Sequence, residues 1–194
     1  MGYVIDFDLS TILIAIVIWL CIIVFIRLKK RKSVVFLLFF SVFYAYIIKV
    51  LDVTQFPIFL NQDIRVIHGQ TIWKTMNLTP LATLTKKDFQ TLFLNIILTI
   101  PFGFGLPFIS KSTWRKIFVV GIIFGTILES LQLVIGLIAG FTFRIVDIND
   151  VLSNAFGVIV GYALFVAFMC GFRFFLKERP ENPILRYIYE RNAK

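Results

Sequence analysis

In RIVDINDVLSNAFGVIVG, residues 144–161, Asp147, Asp150 and Asn154 open a run that meets no further charge until Arg173. A second run, GTILESLQLVIG at residues 125–136, carries Glu129 and Gln132 in its middle. Upstream, Thr91, Asn95 and Thr99 recur every fourth residue. Carboxylates and amides of this kind have the donors to bind a cationic group, to hold Mg²⁺, or to act as an acid and a base in unlike environments. A carboxylate near a bilayer centre costs at least ~2.5 kcal/mol on insertion scales, so Glu129 calls for a partner or a task. Arg144 is a candidate partner if its loop folds inward.

The elements that carry these residues must be membrane helices. The chain has 194 residues, 59% hydrophobic and 16% charged, and its mean hydropathy is +0.89. A soluble domain of this size needs far more polar surface. A spanning helix takes roughly 20 apolar residues, and five runs qualify, at about 9–26, 33–50, 89–109, 117–138 and 150–172. The fold expected is therefore all-α, a polytopic membrane bundle of five transmembrane helices. The first run reads as a retained helix, since its acidic flank precedes it and its basic cluster follows, the reverse of a secretory signal.

Charge placement orients the bundle. Of the 20 Lys and Arg residues, 14 fall in the 27–32 and 111–116 connections and the C-terminal segment. The positive-inside rule then puts the N-terminus out and the C-terminus in. The net charge of +9 thus suits contact with anionic lipid head groups rather than nucleic acid.

At about 100° per residue, Asp147, Asp150, Asn154, Gly157 and Gly161 share an arc of roughly 80°. Glu129, Gln132, Gly121, Gly125 and Gly136 do the same on the preceding span. Antiparallel pairing is expected to set Gly121 and Gly125 against Gly157 and Gly161 in the inner half, as small residues that let backbones approach. In the outer half, polar residues then meet polar residues, with the Thr91, Asn95 and Thr99 stripe as a third wall. The expected result is one outward-facing pocket of Asn95, Glu129, Gln132, Arg144, Asp147, Asp150 and Asn154. Plainer roles exist for several of these. Asp147 suits a helix N-cap with Asp150 completing a capping box, and Asn95, Gln132 and Asn154 suit interhelical hydrogen bonds. Neither role covers Glu129.

Other features carry less. With His68 as the sole histidine, lying in the 51–88 outer loop, histidine-based metal sites and Ser–His or Cys–His triads are not expected. Cys21 and Cys170 fall in the inner halves of their helices, a poor setting for a disulfide. Gly103 and Gly105 lack the context of a nucleotide loop. Pro101 and Pro107 kink the third span and free carbonyls that must face protein or a water-filled cavity. Tyr44, Tyr46 and Trp73 suit an outer aromatic belt. The NLT triplet at 77–79 is a chance sequon. Pro180 and Pro183 are expected to end the last helix, leaving a solvated tail.

These motifs resemble the VanZ-like membrane proteins. The resemblance rests on Asn95, Pro101 and Gly103, on Glu129 and Gln132, and on Arg144, Asp147, Asp150, Asn154, Gly157 and Gly161. It covers about residues 76–165. It implies an N-terminal two-helix extension and outer loop at 1–75, a three-helix core at 76–172 and a cytoplasmic tail at 173–194. It further implies a multi-pass protein of the bacterial plasma membrane, related to one linked to teicoplanin resistance, with no settled activity; the residues themselves call for no cofactor, a divalent cation at the acids being the one candidate. The leading expectation is recognition of a polar or cationic group, on a lipid-linked cell-wall precursor or a lipoglycopeptide. One alternative is an enzyme that holds a divalent cation against a lipid-linked phosphate. The other is a scaffold with no ligand.

Overall fold

The computed structural model describes residues 2–61, 71–81, 86–142 and 144–191. Arg65 and His68 lie outside the described residues. Five long apolar helices dominate: α1 (Leu9–Lys29), α2 (Val34–Gln55), α4 (Lys86–Ile109), α5 (Trp114–Ala139) and α6 (Ile148–Phe175). Among the described residues these five are long and apolar enough to cross a membrane. Short α3 (Ile72–Thr75) and α7 (Pro183–Tyr189) complete the helices. One two-stranded antiparallel ladder joins β1 (Gly2–Ile5) to β2 (Ile58–Asn61), with Tyr3 opposite Leu60.

Helix starts follow local chemistry. Asp8, Ser33, Thr113 and Asp147 precede α1, α2, α5 and α6, and each side chain accepts a backbone N–H of the first turn. That satisfies donors with no intrahelical partner. Gly140 closes α5 in the left-handed region at φ 76°, its N–H donating to the Gly136 carbonyl, a conformation that glycine takes without a Cβ clash. The end of α2 differs from the sequence expectation. The helix runs on to Gln55, because the residue before a proline is the one pushed out of helical geometry, and here that is Phe56 before Pro57. The added turn brings Asp52, Thr54 and Gln55 to the bundle.

The core is the contact of α4 with α6. Gly103 of α4 abuts Val158, where an added Cβ would fall 1.9 Å from the carbonyl oxygen. Gly157 and Gly161 of α6 abut Ile96, Thr99 and Ile100, at 2.2 Å from Thr99 Oγ1 and 2.0 Å from the Ile100 carbonyl oxygen. The expected glycine-to-glycine pairing of α5 with α6 is therefore corrected. Gly121 and Gly125 do face α6, but they meet Ala155, Val158, Val151 and Asn154. The two α6 glycines face α4 instead, because α4 crosses close enough to demand their missing Cβ atoms.

The two halves of the bundle differ in character. In one, Phe102, Phe108, Ile117, Val158, Tyr162, Phe165 and Met169 form a buried apolar cluster, with Phe102 stacked on Phe124 at 4.1 Å. The ends of the helices on that side carry the basic residues Arg27 to Lys32, Lys111, Arg115 and Lys116. The other half carries Asp88, Glu129, Asp147 and Asp150 and forms the acidic end of the bundle.

Two further expectations are corrected. The C-terminal segment is not simply solvated. α6 already ends at Phe175, and Pro183 begins α7 rather than ending the span, since a first-turn proline forfeits no hydrogen bond. Tyr187 of α7 stacks on Phe39 and its hydroxyl donates to the Phe108 carbonyl at 2.5 Å, while the Arg173 guanidinium donates to the Tyr189 and Arg191 carbonyls. Tyr46 also leaves the proposed aromatic belt. Its hydroxyl donates 2.7 Å to the Leu98 carbonyl inside the bundle. Tyr44 likewise donates to the Ala15 carbonyl at 2.8 Å.

Candidate functional site

The start of α6 is held from three directions. Asp147 caps the helix by accepting the Asn149 N–H at 2.7 Å. The same oxygen accepts from Asn77 Nδ2 at 2.9 Å. Asn77 also bridges backbone to backbone, donating its N–H to the Val146 carbonyl and accepting from the Ile148 N–H, each at 2.9 Å. Asn149 Oδ1 accepts the Leu81 N–H at 2.8 Å. The segment at 77–81 is thereby fastened to the turn before α6.

Glu129 supplies the third hold. It is 5% exposed on α5, and its Oε2 accepts the Asp147 backbone N–H at 3.1 Å. In a capping box, a carboxylate three residues into the helix returns to that N–H. Here a neighbouring helix provides it, and the expected role of Asp150 in the box is taken over by Glu129. Asp150 instead faces the cavity that Asn95 of α4 also lines.

Arg144 is not the direct partner of Glu129. Its guanidinium donates to the Phe56 carbonyl at 3.3 Å, and the ion pairs among the described residues do not include it. Burial pulls its pKa below the ordinary arginine value, and the attraction of Glu129 opposes that shift. Arg144 thus sits in the field of Glu129 without touching it.

Around these groups lies an open cavity of about 840 Å³. Asn95, Gln132, Arg144, Asp147 and Asp150 line it, together with Thr54, Asp88, Thr91 and Asn149. Two of the expected pocket residues stand back from it. Glu129 lies behind Asp147, and Asn154 is 2% exposed, beside Gly125. The carbonyl of Asn154 accepts from Thr99 Oγ1 at 2.9 Å, which also turns Thr99 away from the cavity and into the α4–α6 contact. The cavity size suits a small ligand or a lipid head group, since such sites run to roughly 300–1,000 Å³.

Asn77, Asn149, Asp88 and Thr54 belong to the site although the sequence pattern does not single them out. Asn77 stands in a chance sequon, and its pairing with Asp147 spans 70 positions with no local pattern to reveal it. Asp88 and Thr54 fall just beyond the helix ends that hydropathy suggests. Among the described residues, no three carboxylate, thiol or imidazole groups come close enough to share a metal ion. The carboxylates are spread instead, each toward different hydrogen-bond donors.

A family model described as VanZ/LLP1 matches residues 12–170, which takes in α1 and α2 as well as α4 to α6. No curated protein and no solved structure gives a match.

Proposed function

The chain belongs to the VanZ/LLP1 family, matched over most of its length, and from that premise we propose that its acidic-end cavity recognises a ligand at the outer face of the bacterial plasma membrane. Recognition there modifies envelope lipid handling, and through it tolerance of teicoplanin-type glycopeptides. The observation that carries this reading is the cavity itself. Three carboxylates (Asp88, Asp147 and Asp150), one guanidinium and several amides line a space at the acidic end of the bundle, between the starts of α4 and α6. Ionisable groups inside a membrane are costly and mark sites of function. The volume supports a lipid head group over a whole glycopeptide, which would overfill it.

Orientation follows the positive-inside rule, with α1 entering from outside and the basic connections in the cytoplasm. A cysteine replacing exposed Lys74 should react with a membrane-impermeant thiol reagent in intact cells, and one replacing Lys30 should react only after lysis, both in a background lacking Cys21 and Cys170. The reverse pattern moves the cavity to the cytoplasmic leaflet and overturns its placement.

The functional reading is tested by expressing the chain in a teicoplanin-sensitive bacterial host and measuring tolerance together with envelope lipid composition. The parent protein should shift at least one of these. Asp147→Asn and Asp150→Asn should abolish the shift at equal membrane abundance, because asparagine keeps the cap and the hydrogen bonds but removes the charge. Full function in both variants would reduce these carboxylates to helix packing. Turnover of a lipid-linked pyrophosphate by the purified protein would favour an enzyme instead.

A further inference from the structure

The cavity has a second property besides its charges. Val53 of α2 and Leu94 and Ile97 of α4 line it, yet these residues are 53%, 64% and 48% exposed. Exposed aliphatic side chains on helices of this kind face acyl chains, so one wall of the cavity borders the bilayer rather than water. Along α4 the lining runs from Asp88 to Leu98, about 15 Å at 1.5 Å per residue. That is about half of a ~30 Å hydrocarbon core. The site is a slot with a charged end and an apolar side that follows α4 inward from that end.

The charges within the slot are of both signs. Asp88, Asp147 and Asp150 lie on α4, the α6 cap and the first turn of α6, and Arg144 lies on the connecting loop. A simple cation would meet Arg144, and a simple anion would meet three carboxylates. A ligand that carries both charges satisfies both groups. Arg144 has five N–H donors. Among the described residues its guanidinium gives one of them to the Phe56 carbonyl, so donors remain for an anionic group.

Resting on the reading of this cavity as a ligand site, we propose that its ligand is a zwitterionic phospholipid bearing a primary ammonium, drawn sideways from the bilayer. Its ammonium lies among Asp88, Asp147 and Asp150, its phosphate lies at Arg144, and the start of its chain follows Leu94 and Ile97. Binding is non-covalent, and no bond is made or broken.

The test uses the full chain in detergent, with dioleoyl phosphatidylethanolamine and dioleoyl phosphatidylglycerol added in equal amounts and bound lipid counted by native mass spectrometry. The parent protein should retain one phosphatidylethanolamine per chain with about tenfold preference, the scale of one charge-assisted hydrogen bond. Arg144→Gln and Asp150→Asn should each lower that preference severalfold. Glycerophosphoethanolamine, the same head group without chains, should not displace the lipid at millimolar concentration. Displacement by it would overturn the lipid assignment while leaving the cavity a polar-ligand site. Equal retention of the two lipids by the parent protein would overturn the head-group assignment. A tolerance phenotype that persists alongside that result would show that the functional reading survives without this ligand. The competition arms use only the parent protein, so they decide the matter even where a variant fails to fold.

Discussion

Gly161→Ala should destabilise the bundle strongly. The new Cβ would sit 2.0 Å from the Ile100 carbonyl oxygen and 2.9 Å from the Phe104 amide nitrogen. Both are backbone atoms, so no rotamer change relieves the clash and α4 must move off α6. Gly103→Ala meets the Val158 carbonyl in the same way, at 1.9 Å. Overpacking of this severity costs at least about 3 kcal/mol, or roughly 10 °C of melting temperature in a protein of this size. Gly121→Ala should cost much less, because its nearest neighbours stand at 3.2–3.3 Å. Gly171 has nothing within 4 Å, and Gly171→Ala serves as the neutral control. Thermal melts followed by size-exclusion chromatography read the series. A Gly161→Ala protein that melts with its parent would show that α4 and α6 do not pair as described.

Glu129 should tolerate loss of charge and not loss of its oxygen. Glutamine presents a carbonyl that accepts the Asp147 N–H as the carboxylate does. Leucine leaves that N–H without a partner, which costs about 1–3 kcal/mol when buried. It also frees the residue that caps α6 and faces the cavity. Glu129→Leu should therefore insert normally, since it removes a membrane carboxylate, yet expose the Asp147 amide to hydrogen exchange and lose ligand response about tenfold or more. Glu129→Gln should stay within about fivefold of the parent, as expected when a hydrogen bond of ~1 kcal/mol or less is changed. If glutamine proves as damaging as leucine, the charge on Glu129 is used directly and its role as a positioning residue is wrong.

The contrast between Glu129 and the glycines shows what a sequence can reveal here. Hydropathy finds the five spans because lipid demands long apolar runs, and Asp147 as an N-cap is legible because capping is local. Helical angles place Gly157, Gly161, Asp147 and Asp150 on one side of α6. An angle on one helix does not name the neighbour on that side. α4 takes the glycines, while α5 sends Glu129 across to the cap. The Asn77 clamp and the docking of Tyr187 on Phe108 escape for the same reason. Each joins residues far apart in sequence, which leaves no periodic trace. The extra turn of α2 is hidden differently, by polar residues that read as a loop until Thr54 is seen lining the cavity.

The space between Asp88, Asp150 and Arg144 should hold a ligand, and a density map of the protein in nanodiscs of native lipid shows this most directly. Non-protein density is expected in the cavity, touching Arg144 and at least one of the three aspartates and continuing along Leu94 and Ile97. A well-resolved map with Arg144 bridged directly to Asp147 or Asp150, and no space between them, would refute ligand binding there.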